Sequence, residues 1–197
     1  ENIDFLEIMF RENKAKYKNC LEILEAKPSA PSKMYYIRLN GENVRVYCDM
    51  ETSGGGWTRL AYAKNDNAET LWRSKSWEDY TVNGFNGLNY EWIPLRAWRT
   101  LSKQSNKQNS VMLRSASSSN DCPTLYNFDL HGENYELLCQ SMSSNAPASF
   151  RSACEKQIGF STYDHNAKES TSELASWTRE QQCRNFTGTA SEVGNND

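Results

Sequence analysis

The chain has 197 residues, a length over which one domain can bury a substantial core. Hydrophobic residues make up 38% of it and charged residues 24%, and no run approaches the roughly 20 apolar residues that span a bilayer. The net charge of −3 lacks the basic excess of proteins that bind nucleic acid or anionic membranes. Composition therefore predicts one domain, with no nucleic-acid partner and no direct membrane insertion.

The six cysteines predict an oxidising compartment. They are dispersed, form no C-x-x-C pair and accompany only two histidines, which argues against a zinc site. An even set of this kind is typical of disulfides in a secreted protein, and six reduced buried thiols are the alternative. The first residue is Glu rather than Met, so a mature form or a fragment is expected. The cysteines are Cys20, Cys48, Cys122, Cys139, Cys154 and Cys183.

Residues 1–19 are predicted to form a helix at the end of an oligomeric coiled-coil stalk. Apolar residues recur at alternating three- and four-residue steps, the heptad pattern that winds helices around one another. Asn13 on this stripe is the kind of polar core residue that fixes register or strand number, and a homotrimer is expected. A monomeric helix packed on the domain behind it would give the same pattern. The stripe comprises Ile3, Leu6, Phe10, Asn13, Tyr17, Cys20 and Leu24.

Beyond Pro28 the sequence predicts an α+β domain over residues 20–197, with short antiparallel strands and long loops. Runs rich in β-branched and aromatic residues flank Asn40-Gly41, which is a hairpin signal. A helical spacing covers residues 92–101, where Pro94 is acceptable in a first turn. Strands are expected at residues 33–39, 43–48, 57–63 and 111–113, loops at 115–119 and 141–149, and a frayed polar tail at 189–197.

Several sequence runs resemble the fibrinogen-like domain, a recognition module of secreted proteins, and the related calcium-dependent lectins of the intelectin kind. The resemblance covers about residues 20–188 and is most specific before Trp92. Members of the family continue for several strands further, so the chain is expected to be truncated at its carboxyl end. The runs are VYCDMETSGGGWT at 46–58, WEDY at 77–80 followed by Gly84-Phe85 and Glu91-Trp92, GFSTYDHN at 159–166, and QQCRNFTG at 181–188.

The resemblance implies a Cys20–Cys48 disulfide and a calcium site. Cys122 with Cys139 and Cys154 with Cys183 is one assignment of the remaining cysteines, whose pairing stays open. Asp164 and Asn166 match the family's calcium loop, although Asn166 stands where a second aspartate is usual and lowers the charge offered to the ion. The alternative is an Asx-rich turn whose side chains bond only their own backbone.

The resemblance also implies a ligand pocket made by two loops near the carboxyl end. A sugar needs an apolar ring face and a few fixed polar groups, and both loops offer these. Arg184 would favour a carboxylate or a sulfate. The alternatives are that the aromatic residues belong to the core and that a glycan on the Asn185 sequon crowds the pocket. The candidate ligand-binding residues are Tyr163, His165, Trp177, Arg184, Asn185 and Phe186.

Together these features predict an extracellular module, secreted or displayed at a cell surface, that binds surface glycans and gains avidity by trimerisation. The alternative is a structural or protein-binding end cap of a trimeric fibre that binds neither glycan nor calcium. The sequence has no G-x-S-x-G, H-E-x-x-H or G-x-x-x-x-G-K motif, so an enzyme is not expected.

Overall fold

The computed structural model describes residues 15–63, 74–88, 90–104, 110–115, 124–142, 157, 159–162, 164–165 and 191–196. For residues 63, 110–115, 124–128, 139–142 and 191–196 it describes the backbone alone. The chain divides into two compact units, residues 1–58 and residues 59–197. Among the described residues, no helix has the length and apolar character needed to cross a membrane.

Unit 1 contains a short helix and an antiparallel hairpin. Helix α1 spans Cys20–Ala26, strand β1 spans Lys33–Leu39 and strand β2 spans Glu42–Asp49. The hairpin is in register from Lys33 opposite Cys48 to Leu39 opposite Glu42. The turn at Asn40-Gly41 has positive φ at both residues, as a two-residue hairpin turn requires. The predicted hairpin and its turn are therefore confirmed.

The core of unit 1 joins α1 to the hairpin. Cys20 and Cys48 are fully buried and form a disulfide with their Cα atoms 5.5 Å apart, the pairing that the resemblance implies. The N–H of Cys20 also donates to Thr58 Oγ1 at 3.2 Å. Such a cross-link closes a loop of 28 residues and stabilises the fold by about 2–4 kcal/mol. The other buried apolar residues are Ile23, Ile37, Leu39, Val46, Met50 and Trp57.

A helix through residues 1–19 is not present in the part of that segment that the structure describes. Residues 15–19 have no regular structure, and residues 1–14 lie outside the described residues. The side chain of Asn19 accepts a 2.8 Å hydrogen bond from Glu22 N, so the helix begins only at Cys20. The carbonyl of Tyr17 accepts from Arg38 N on β1 at 2.7 Å, a bond of extended rather than helical backbone.

Unit 2 contains the remaining strands and a second helix. Strand β3 (Trp57–Ala63) crosses the boundary between the units, and in unit 2 Ala61 pairs with Trp92 of β5. Strand β4 pairs with β5, and four further strands are hydrogen-bonded side by side in the order β9-β6-β7-β8. The elements are β4 (Phe85–Asn86), β5 (Tyr90–Trp92), α2 (Leu95–Ser102), β6 (Ser110–Ser115), β7 (Thr124–His131), β8 (Glu136–Met142) and β9 (Ser191–Asn196).

An aromatic cluster forms the core of unit 2. The Trp92 ring stacks on Trp98 at 4.7 Å and meets Tyr80 edge-on at 5.0 Å. The two indole N–H groups donate to Tyr80 O at 3.1 Å and to Ile93 O at 2.7 Å, so neither is left unsatisfied in the core. Burial raises the pKa of the Tyr80 hydroxyl. Strand β5, which carries Trp92, and helix α2, which carries Trp98, are thus fixed to one apolar cluster.

Several element boundaries differ from the sequence prediction, and two of these differences change the kind of element. The helix expected over residues 92–101 begins at Leu95, because Pro94 is its extended N-cap and residues 90–92 pair as β5. The polar tail expected at 189–197 is wrong over Ser191–Asn196, which form β9 and pair with all of β6. Strand β9 pairs with the edge of β6 through backbone hydrogen bonds, and such pairing does not require apolar side chains.

Candidate functional site

The site is built around a tight turn at residues 160–165 in unit 2. Thr162 N donates to His165 O at 2.8 Å and His165 N donates to Thr162 O at 3.3 Å, which closes the turn. Phe160 is buried with 1% exposure, and its N–H donates to Asn134 O at 2.7 Å. The apolar end of the turn is therefore anchored while Asp164 stays exposed.

Asp164 is held by two hydrogen bonds to the same carboxylate oxygen. Its Oδ1 accepts from Thr162 Oγ1 at 2.7 Å and from Trp77 N at 2.9 Å. The hydrogen bond from the Thr162 hydroxyl lowers the pKa of Asp164 below its usual value of 3.8, and the hydrogen bond from the Trp77 N–H lowers it further. The side chain is therefore ionised at neutral pH, and its second oxygen takes part in neither bond.

His165 is clamped between an indole ring and an amide. Its ring stacks on Trp77 with centroids 3.8 Å apart and planes inclined by 27°. Its Nε2 lies 2.9 Å from Asn134 Oδ1 in the turn between β7 and β8. The ring orientation is thus fixed from both sides, with His165 and Trp77 each half-buried.

A cationic group extends this aromatic surface. The Tyr135 ring lies 5.8 Å from the Trp77 ring, and the Arg99 guanidinium lies over Tyr135 at 4.0 Å. Arg99 Nε donates to Leu130 O at 3.1 Å, and its Nη2 donates to Gly132 O. Through Arg99, helix α2 therefore holds the turn between β7 and β8 in place.

We define the Trp77 face as Trp77, Asn134, Tyr135, Asp164 and His165. It joins a partly exposed aromatic surface to an ionised carboxylate, an imidazole and an amide. Such a combination can cover an apolar ring face while fixing hydroxyl groups by hydrogen bonds. Among the residues described in the structure, no group of three or more His, Cys, Asp and Glu side chains could hold a metal ion.

Comparison with known proteins identifies the fold. The sequence model of the family described as "Fibrinogen beta and gamma chains, C-terminal globular domain" matches residues 16–190. The chain belongs to the fibrinogen C-terminal domain family. The predicted resemblance to the fibrinogen-like domain is thereby confirmed, whereas the resemblance to lectins of the intelectin kind stays a prediction.

Individual relatives agree with this assignment of a fibrinogen-like domain. Fibrinogen-like protein A of Apostichopus parvimensis is 31% identical over 153 residues, 76% of this chain and 53% of that protein. Tenascin-R of Rattus norvegicus is 38% identical over 87 residues, 42% of this chain and 6% of that protein. The chain thus spans about half the length of the first relative and a small part of the second.

Solved structures show the same fold. The fibrinogen-like globe domain of human ANGPTL2 superposes with a TM-score of 0.64 at 24% identity, covering 79% of this chain and 71% of that one. Lamprey fibrin D-dimer, complexed with the peptide Gly-His-Arg-Pro-amide, superposes with a TM-score of 0.57 at 14% identity, covering 94% of this chain and 75% of that one.

Of the site residues predicted from sequence, Asp164 and His165 lie together in the Trp77 face of this fibrinogen-like domain. Trp77, Asn134 and Tyr135 were not among the predicted site residues, although Trp77 opens the quoted WEDY run. Cys139 lies in β8, at a position for which the backbone alone is described. The predicted residues outside the described part of the chain are Tyr163, Asn166, Trp177, Arg184, Asn185, Phe186, Cys122, Cys154 and Cys183.

Proposed function

We propose that this chain is an extracellular recognition and adhesion module that binds surface glycans through the Trp77 face. Its relatives in the fibrinogen-like family are secreted or extracellular proteins, and domains of this family act in recognition rather than catalysis. The observation that carries the proposal is the stacked Trp77–His165 pair, 3.8 Å between centroids, beside the exposed carboxylate of Asp164. The pair supplies a fixed aromatic surface, and the carboxylate supplies acceptors for sugar hydroxyls.

The loops predicted from sequence would complete this surface. Tyr163, which stands between Thr162 and Asp164 in the sequence, and Trp177 and Phe186 would add apolar ring faces. Arg184 and Asn185 would add donors, with Arg184 favouring a glycan that carries a carboxylate or a sulfate. The QQCRNFTG run at 181–188, which is similar to an intelectin segment, is the sequence feature that suggests a lectin of this kind.

Calcium is proposed as the cation of the site, with Asp164 and Asn166 as its side-chain ligands. Asp164 suits a hard cation because its carboxylate is ionised and exposed, and the hydrogen bonds to its Oδ1 fix its orientation. Calcium would supply a positive charge to which sugar hydroxyl groups can bind. With one carboxylate in the predicted ligand pair, its affinity is expected to be modest.

The first test is a glycan array probed with and without calcium. We expect the native chain to bind in calcium and to lose binding in a chelator. Asp164→Asn should weaken calcium-dependent binding about tenfold or more, because it removes charge while Oδ1 can still accept the two turn hydrogen bonds. The matched control is Glu78→Gln, which removes an exposed carboxylate next to Trp77 and should bind like the native chain.

Two results would contradict the proposal. Silence of the folded chain on the array would argue against glycan binding. Glycan binding that survives both the chelator and Asp164→Asn would argue against calcium as part of the site.

Trimerisation would convert weak single sites into avid binding, because the second and third contacts become intramolecular. The homotrimer is proposed from the heptad stripe, and any stalk helix would have to end before Ala15, since residues 15–19 are not helical. The mass of the native chain in sedimentation equilibrium measures this directly.

A second candidate function is a protein-binding or structural end cap that needs neither glycan nor calcium. The observation that favours it is the lamprey fibrin D-dimer, which shares the fold and is complexed with a short peptide. On this hypothesis the Trp77 face contacts a polypeptide, and Asp164 only stabilises the turn. Binding to a protein ligand that is unchanged by a chelator, together with silence on the array, would support it.

A further inference from the structure

The β1–β2 hairpin of unit 1 has one buried face and one exposed face. On the buried face Ile37, Val46 and Cys48 each have 0% exposure. Because side chains alternate along a strand, the residues between them point the other way. We define the hairpin face as these six residues, in three cross-strand pairs: Met34 with Tyr47, Tyr36 with Arg45, and Arg38 with Asn43.

The hairpin face is cationic. Arg45 is exposed, and Arg38 is half-exposed with Nη1 3.3 Å from Asn43 Oδ1. The same Asn43 oxygen accepts from Ala15 N at 3.0 Å, which brings the exposed Lys16 next to this end of the face. Lys16, Arg38 and Arg45 therefore bring three positive charges to the turn end of the hairpin, on a chain whose net charge is −3.

Strand β2 also carries two carboxylates, those of Glu42 and Asp49. By alternation along β2, Glu42 points to the opposite side of the hairpin. Asp49 shares the side of Arg45 but lies four residues further along the strand, and its oxygens accept from Glu51 N, Thr52 N and Thr52 Oγ1. Glu42 therefore lies on the other side of the hairpin from the two arginines, and the exposed Arg45 reaches solvent.

Two tyrosine rings accompany the arginines. Tyr36 has 59% of its surface exposed and lies directly opposite Arg45. Tyr47 is half-buried and lies on the same face, two residues along β2 from Arg45. Side chains opposite each other on paired strands have Cβ atoms about 4.5–5.5 Å apart, so one ligand can touch a ring and a guanidinium at once.

We propose that the hairpin face binds a sulfated polysaccharide. The planar guanidinium fork matches the oxygens of a sulfate group, and an exposed tyrosine ring covers the C–H face of a sugar. An acidic peptide would share the charge but would not need the exposed ring. This site shares no residue with the Trp77 face and does not rest on the function proposed above.

The probe is a heparin octasaccharide, titrated into the native chain by calorimetry at low ionic strength in a chelator. We expect binding that weakens as salt is added, because exposed charges are screened. Replacing both arginines (Arg38→Gln with Arg45→Gln) should weaken binding about tenfold or more, and Tyr36→Ser about threefold. Arg45→Lys should bind between the native chain and Arg45→Gln, since it keeps the charge but loses the fork.

The matched control is Lys27→Gln, which removes an exposed positive charge of unit 1 from the C-cap of α1 and should leave binding unchanged. Thermal unfolding of each variant verifies that it is folded. The proposal is overturned if the arginine pair and Lys27→Gln bind equally well, if fully desulfated heparin binds as tightly as heparin, or if a polyglutamate peptide binds more tightly than both.

Discussion

At the scale of single residues, short polar side chains fix the turns that carry the site. Asp79 and Ser76 form a reciprocal pair just before the π-helical turn Asp79–Asn83. Asp79 Oδ2 accepts from Ser76 N at 3.1 Å and from Ser76 Oγ at 3.0 Å, and Ser76 Oγ accepts from Asp79 N at 3.2 Å. Because Trp77 lies between them, this pair sets the backbone that supplies the N–H to Asp164.

The first prediction concerns acid stability. Hydrogen bonds from the backbone and then the side chain of Ser76 lower the pKa of Asp79 below 3.8 in the folded chain. The stabilisation from this group is therefore present above pH 3.8 and is lost as the pH falls through the folded pKa. Asp79→Asn should lower the free energy of unfolding near neutral pH and make its loss in acid less steep.

Urea unfolding at a series of pH values measures this effect. Glu78→Gln is the control, because Glu78 is an exposed neighbouring carboxylate that takes no part in the Ser76 pair. Equal acid sensitivity of the native chain and Asp79→Asn would show that the pair does not contribute to stability.

Residue chemistry also explains which part of the site the sequence could predict. Asp164 and His165 are recognised because they stand in one run with a family resemblance. Trp77 was missed as a site residue because its hydrogen bond to Asp164 joins positions 87 residues apart. Asn134 reaches His165 from another turn of the chain, and neither local periodicity nor a short motif encodes such a contact.

At the scale of elements, local patterns were reliable where the buried face and the turn chemistry agreed. The alternation along β1 and β2, together with Asn40-Gly41, predicted both strands and their connection. The heptad stripe failed at residues 15–19, because spacing does not reveal that Asn19 caps a new helix. Strand β9 was missed because Ser191–Asn196 is polar, and its pairing depends on an available edge of β6.

The second prediction tests the start of α1. The hydrogen bond from Glu22 N to Asn19 Oδ1 satisfies one of the four amino-terminal N–H groups that have no partner within this seven-residue helix. Asn19→Ala should reduce the free energy of unfolding by about 1 kcal/mol, and Asn19→Asp should retain most of it. Denaturant unfolding of both variants measures the difference. A helix that starts upstream of Ala15 would make Asn19→Ala nearly neutral.

At the scale of the whole molecule, the two units carry different surfaces. Unit 1 contains the Cys20–Cys48 disulfide and the hairpin face, whereas unit 2 contains the aromatic core and the Trp77 face. A ligand of one face can therefore be distinguished from a ligand of the other by the residues that it perturbs. The tryptophans provide natural reporters, because Trp57 lies in unit 1 and Trp77, Trp92 and Trp98 lie in unit 2.

The central claim is that the glycan ligand binds at the Trp77 face. It is tested most directly by the indole N–H resonances of the 15N-labelled native chain, titrated with the tightest-binding glycan from the array. We predict that the Trp77 resonance, assigned with Trp77→Phe, shifts in a saturable manner. The resonances of Trp92 and Trp98, whose N–H groups bond to Tyr80 O and Ile93 O in the core, should remain in place. A saturating glycan that leaves the Trp77 resonance unmoved would contradict the claim.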